Sequence, residues 1–196
     1  MSKDIQLSDS DGVVLVKTAR KAVTEFLSNG NRMKLESDLE EKFSFNSGVF
    51  VTLNNSDGLR GCIGFPMPEK KLSHAIIEGA IAAATEDPRF PSVKTIELND
   101  IVFEVTVLTP PVEITVNDPM EYLEKIKVGR DGLIIRNSFS SGLLLPQVPV
   151  EYGWNVEEFL QHTCEKAGLG KDVWKNEKVK IEKFEGIVYK EETNGS

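Results

Sequence analysis

The apolar residues of this chain change their period along its length, so neither an all-helical nor an all-strand fold satisfies the pattern. Leu15, Ala19, Ala22, Val23, Phe26 and Leu27 recur at helical spacing after an Asp9-Ser10-Asp11-Gly12 start, and Gly30 follows as a stop. Val49, Val51 and Leu53 instead alternate with Phe50 and Thr52, and the polar Asn54 to Gly58 separates them from Leu59-Arg60-Gly61-Cys62-Ile63, which predicts a hairpin. Leu72, Ala75, Ile76, Gly79, Ala80 and Ala83 form a second helical stripe of mostly small residues, with Pro68 in its first turn and Pro88 as its stop. Ile101 to Leu108 is β-branched and almost wholly apolar, the mark of a strand covered on both faces. Asn117-Asp118-Pro119 opens a short helix around Tyr122 and Leu123, and Gly132 to Arg136 with Gly142 to Leu145 predicts a second hairpin. Asn155 and Glu158 make a capping box for a helix carrying Phe159, Leu160, Thr163, Cys164 and Ala167, stopped by Gly168, and a strand near Val179 to Tyr189 closes the chain.

Composition excludes several functions. With 196 residues, 40% of them hydrophobic and 28% charged, the chain can bury a core. Its apolar runs, such as Val13 to Val16 and Leu143 to Leu145, fall far short of the roughly 18 residues of a membrane span. The polar, acidic start lacks the regions of a secretory signal, so a cytoplasmic location is expected. A net charge of -8 opposes binding that neutralises many phosphates, which makes nucleic acid an unpromising partner. Two cysteines, Cys62 and Cys164, and two histidines, His74 and His162, fit neither a disulfide scaffold nor a zinc motif. No metal and no cofactor are expected.

At Leu59-Arg60-Gly61-Cys62-Ile63-Gly64 the chain resembles the AMMECR family, named from the region of Alport syndrome, midface hypoplasia and elliptocytosis, and the resemblance runs from about the first helix to the closing strand. Asp87-Pro88-Arg89-Phe90-Pro91, then Phe103-Glu104-Val105 with Val107 to Pro110, then Gly142 to Val148, and finally Trp154 to Gly168 with Trp174 are similar to the family's blocks in the same order. Pro149 stands where a small residue such as Ala is expected. The resemblance implies an α+β fold, a mixed or antiparallel sheet packed by helices, in a larger subdomain (about 10–112 plus 140–190) and a smaller one (about 113–139). It also implies association with a Memo-like or a radical-SAM-like protein, an associational argument for a shared modification pathway. It implies no particular reaction.

In an extended Leu59 to Gly64, Arg60, Cys62 and Gly64 share one strand face, which brings a guanidinium near a thiol and favours the thiolate. Gly61 and Gly64 leave room for a ligand or another backbone. Cys62 reads more readily as a small core hydrophobe, since no His is adjacent to serve as its base. Glu104 interrupts an apolar strand, so it is either paired with a cation or acts as a general base. For Arg60, an ion pair with Glu104 or Asp87 stands beside anion binding. In the same way either Arg89 meets an anion or Asp87 simply orders the turn. His74 is expected in solvent, and His162 and Cys164 face apart on their helix. Gln147, singled out by the family block, either donates to a ligand or caps a loose carbonyl.

These residues fit an enzyme or ligand-binding component of a modification pathway, with Cys62 and Glu104 as catalytic candidates. Arg60, Gly61, Gly64, Arg89 and Gln147 would then hold a small anionic ligand in a cleft between subdomains. They also fit a protein-interaction scaffold in which the hairpin is purely structural. A third reading is RNA binding through Lys175, Lys178, Lys180 and Lys183, against which alternating lysines commonly form a solvated edge. Whether the chain is an enzyme stays open at this level.

Overall fold

The computed structural model describes residues 7–175 and 179–192. In chain order its elements are α1 (Asp9–Asn29), α2 (Ser37–Lys42), β1 (Val49–Asn55), β2 (Gly58–Phe65), α3 (Leu72–Thr85), β3 (Val102–Leu108), β4 (Val112–Glu113), α4 (Tyr122–Lys125), β5 (Asp131–Arg136), β6 (Ser141–Leu144), α5 (Gln147–Tyr152), α6 (Val156–Lys166) and β7 (Lys180–Lys190). Short 3-10 turns at Thr95–Asn99, Pro119–Glu121 and Val173–Lys175 complete the set. The class is α+β, with antiparallel pairing of β1 to β2 and β3, and of β5 to β6 and β7. No described helix is long and apolar enough to cross a membrane.

The chain divides into two compact units, 1–108 with 187–196, and 109–186. This differs from a smaller subdomain at 113–139: residues 140–186 belong with it because β5 pairs along β6 and β7 and α6 contacts both β5 and β6. Each unit buries its own apolar cluster.

In the first unit β1 is central, with β2 on one side and β3 on the other. Val49, Val51 and Leu53 of β1, with Phe103, Val105 and Val107 of β3, point into a core shared with Leu15, Ala19, Ala22 and Val23 of α1 and the stripe of α3. α1 begins at a capping box in which Ser8 and Asp11 satisfy each other's backbone N–H, and it ends at Gly30, φ 74°. Asp11 also meets Lys42 of α2, which draws its carboxyl down to about 2. Arg20 of α1 grips both carboxylate oxygens of Glu191 and donates to the carbonyls of Leu98 and Ile101, tying the chain end to the helix. β3 corrects the expectation of a strand sealed on both faces. Burial alternates along it, because Val102, Glu104 and Thr106 lie on a half-buried outer face. α3 starts after Lys71 rather than at Pro68, and the short α2 and α5 had no periodic signal long enough to read.

The second unit packs Phe159, Leu160 and Cys164 of α6 with Leu133, Ile135, Ile181 and Trp174. It contains the expected second hairpin, as β5 and β6, with Ile135 opposite Gly142 and Leu133 opposite Leu144. The Asn155 and Glu158 capping box opens α6. Pro149 lies in the first turn of α5, where its missing N–H costs nothing.

Two glycines of the first unit differ in what a methyl group would meet. At Gly61 it would lie 2.1 Å from the backbone carbonyl oxygen of Ala83, whereas at Gly79 its closest contact is 3.5 Å, to Val51. Gly61→Ala is therefore expected to cost about 1 to 3 kcal/mol by overpacking. Gly79→Ala, inside α3, is expected to be neutral or to stabilise by up to about 1 kcal/mol. Urea unfolding of the two variants checks the contrast, and an equal loss in both would contradict this account of the helix-sheet contact.

Candidate functional site

Cys62 lies in the middle of β2, the outermost strand in the first unit's sheet order, on the face opposite the core. The hairpin register sets Cys62 opposite Thr52 of β1, and Thr52 opposite Glu104 of β3. A thiol, a hydroxyl and a carboxylate thus form one row across three strands, all three half-buried. Neighbouring strands are about 4.8 Å apart, so the outer two backbones of the row are separated by roughly 10 Å. Thr52 Oγ1 donates to Cys62 Sγ at 3.3 Å. Among the described residues Glu104 has no ion-pair or hydrogen-bond partner, which leaves the pairing expected for it unmade.

The backbone of Cys62 is held from outside the sheet. Its N–H donates to Oδ2 of Asp87 at 2.8 Å, from the loop that leaves α3. Asp87 is 5% exposed. Its carboxylate also accepts from the Arg89 backbone at 3.0 Å and from the Arg89 guanidinium twice, at 3.0 and 2.7 Å. Arg89 then reaches the carbonyl of Cys62 at 3.4 Å. The guanidinium beside it holds the Asp87 carboxyl well below the usual carboxylate range, and Asp87 in turn raises Arg89. Asp87 orders the turn, as one of the two readings of this loop has it, while the side chain of Arg89 remains about half exposed, at 53%.

Arg60 departs from the simple alternation. Leu53 pairs with Gly61 and Asn54 with Leu59, so Arg60 is the extra residue of a β-bulge. Its guanidinium forms a fork on Glu97, at 2.9 and 3.2 Å, with only 11% of the Arg60 side chain exposed. Arg60 lowers the Glu97 carboxyl. The ion pair expected with Glu104 or Asp87 is thus made with Glu97, and the guanidinium bonded to the backbone of Cys62 is that of Arg89. Gly61 faces the carbonyl of Ala83, and a side chain at Gly64 would meet the Val49 carbonyl oxygen at 2.2 Å. The space at both glycines is filled by backbone.

Gln147 is exposed at the start of α5 in the second unit, and its side chain caps no carbonyl among the described residues. His74 is exposed and 3.4 Å from Glu40. His162 stacks on Trp154, with ring centroids 3.9 Å apart, while Cys164 is fully buried and its thiol is pushed up to about 11 by that burial. Lys175 meets Glu157 and Asp172, Lys180 meets Glu113 and Glu182, and Lys183 meets Asp131, while Lys178 lies outside the described residues. No cluster of metal-ligating side chains occurs among the described residues. Thr52 and Glu97 had escaped the sequence reading. The outward position of Thr52 in β1 was legible, but its meeting with Cys62 needed the bulged register, and Glu97 lies in a 3-10 turn without periodicity.

Asp87 makes a pH-dependent contribution. Because its folded carboxyl titrates below the ordinary value, the stabilisation is complete above about pH 4 and is lost as the pH falls toward the folded value. Asp87→Asn is expected to cost about 1 to 3 kcal/mol at pH 7, since it weakens charge-assisted bonds to Cys62 and Arg89. The difference from the unaltered chain should shrink as the pH drops below about 4. Denaturant unfolding across that pH range measures it, and a constant difference would exclude the carboxylate as the titrating group.

A family model, AMMECR1, matches residues 16–189. Protein MJ0810 of Methanocaldococcus jannaschii is 52% identical over 187 residues, covering 94% of this chain and 92% of that protein. A protein of Methanothermobacter thermautotrophicus is 48% identical over 186 residues, covering 95% and 97%. The crystal structure of the uncharacterized protein PH0010 from Pyrococcus horikoshii superposes with a TM-score of 0.78 at 49% identity, covering 95% of this chain and 94% of that one. With the match running from α1 to the last strand, the chain belongs to the AMMECR1 family.

Proposed function

We propose that the chain is a ligand-binding or catalytic component of a modification pathway, acting on a small anionic substrate at the outer face of β2, β1 and β3. The single observation that supports this is the row of Cys62, Thr52 and Glu104, with the half-exposed guanidinium of Arg89 reaching in from the loop after α3 to the backbone carbonyl of Cys62. In this reading Cys62 is the nucleophile, the Thr52 hydroxyl that donates to its sulfur stabilises the thiolate, and Glu104 takes the thiol proton by way of water. The sulfur adds to a carbonyl carbon of the substrate, the C–S bond forming as the C=O π pair moves onto oxygen. Arg89 attracts the anion, while Arg60, engaged by Glu97, shapes the hairpin. A Memo-like or radical-SAM-like protein would be the partner in the pathway.

A scaffold reading has its own support. Asp87 covers the outward N–H of Cys62 on the last strand of the sheet order, and such covering protects an edge from unwanted pairing. The two readings separate on thiol chemistry, because the second cysteine is an internal standard. With iodoacetamide near neutral pH, Cys62 is expected to alkylate at least about tenfold faster than the buried Cys164 in the folded chain. Glu104→Gln is expected to slow Cys62 without changing the melting temperature. Peptide mapping by mass spectrometry reads both thiols. If Cys62 stays inert until the chain unfolds, the nucleophile is excluded and the scaffold stands.

A further inference from the structure

On the helical side of the first unit, away from the Cys62 face, a small groove runs between α1 and the segment that follows it. Its cavity volume is about 230 Å³. Val14 of α1 forms one wall and Met33, Leu35 and Leu39 the other, all half-buried against the core. Lys17 and Lys21 of α1 and Lys34 of the opposite wall stand at its rim. Against these three cations the rim carries Glu36, and Lys21 has a loose contact of 3.9 Å with Glu25. Lys17 and Lys34 have no ion-pair partner among the described residues. In a chain of net charge -8 the lining of this groove is net positive, three lysines to one glutamate, around an apolar floor.

Size and charge together choose the occupant. Sites for whole small molecules run from about 300 to 1,000 Å³, so this groove is on the scale of a single bulky side chain. Apolar anchors seated in such pockets carry most of the energy of a protein interface, and the charges around them steer encounter and select the partner. We infer that the groove between α1 and Met33–Leu39 is a docking site for an acidic segment of another protein, one bulky apolar residue entering the groove and its flanking Asp and Glu residues meeting Lys17, Lys21 and Lys34. The site is independent of the chemistry at Cys62.

Fluorescence polarisation with labelled peptides, each carrying one Leu, Ile or Phe set between Asp and Glu residues, tests it on the full chain. Saturable binding is expected for at least one anchor. It should weaken about tenfold or more with Lys17→Glu, Lys21→Glu and Lys34→Glu combined, and similarly when the anchor of the peptide is replaced by Ala. The three lysines are exposed, so circular dichroism and the melting temperature should be unchanged in the variant. Absence of saturable binding to the unaltered chain overturns the proposal, as does binding that ignores the anchor and merely follows salt. Two further results overturn it in favour of another occupant. One is dodecanoate binding that depends on the same lysines while the peptides fail. The other is a dimer, seen by sedimentation and abolished by the charge reversals, which would make the groove a contact between copies.

Discussion

One carboxylate joins the parts of the candidate site. Asp87 takes the Cys62 N–H on one oxygen, the Arg89 backbone on the other, and the guanidinium of Arg89 across both. The exit of α3 is thereby fastened to the outer strand of the sheet at the residue whose side chain carries the thiol. The position of Cys62 relative to α3 follows from this attachment and from the close approach at Gly61, where the helix carbonyl of Ala83 occupies the space a side chain would need. A buried carboxylate survives here because it accepts four hydrogen bonds, two of them from a cationic guanidinium.

The two thiols show how environment separates identical groups. Cys164 sits with Phe159, Leu160 and Trp174 in the second unit's core, where desolvation penalises the thiolate. Cys62 sits half-buried on a sheet face next to the Thr52 hydroxyl, with Arg89 at its carbonyl and Glu104 two strands away. Their difference in surroundings comes from placement, since a cysteine in a strand pattern and a cysteine on a helical stripe are both compatible with burial.

Charge follows the same logic. The lysines near the start of β7 look like a basic edge in one dimension, yet Lys175, Lys180 and Lys183 each meet carboxylates brought in from other elements. Lys17, Lys21 and Lys34 are unremarkable in the sequence, and they become a cluster only because the chain after α1 folds back along it. Net charge constrains partners, but local charge is a property of the folded surface.

The sequence by itself determined the elements whose signals are local. Ser8 to Asp11 and Asn155 to Glu158 close capping boxes within one turn, Gly30 takes the left-handed angle at a helix end, and alternation in Val49 to Leu53 commits those residues to a strand. The family blocks told where attention belonged. Tertiary structure alone decided which charges meet. The bulge at Arg60 turned its guanidinium to Glu97, the register placed Thr52 between Cys62 and Glu104, and the loop after α3 set Arg89 rather than Arg60 on the backbone of Cys62. The physical reason is range: caps and alternation are satisfied by residues a few positions apart, whereas cross-strand partners and ion pairs depend on register and packing that no short stretch of chain specifies.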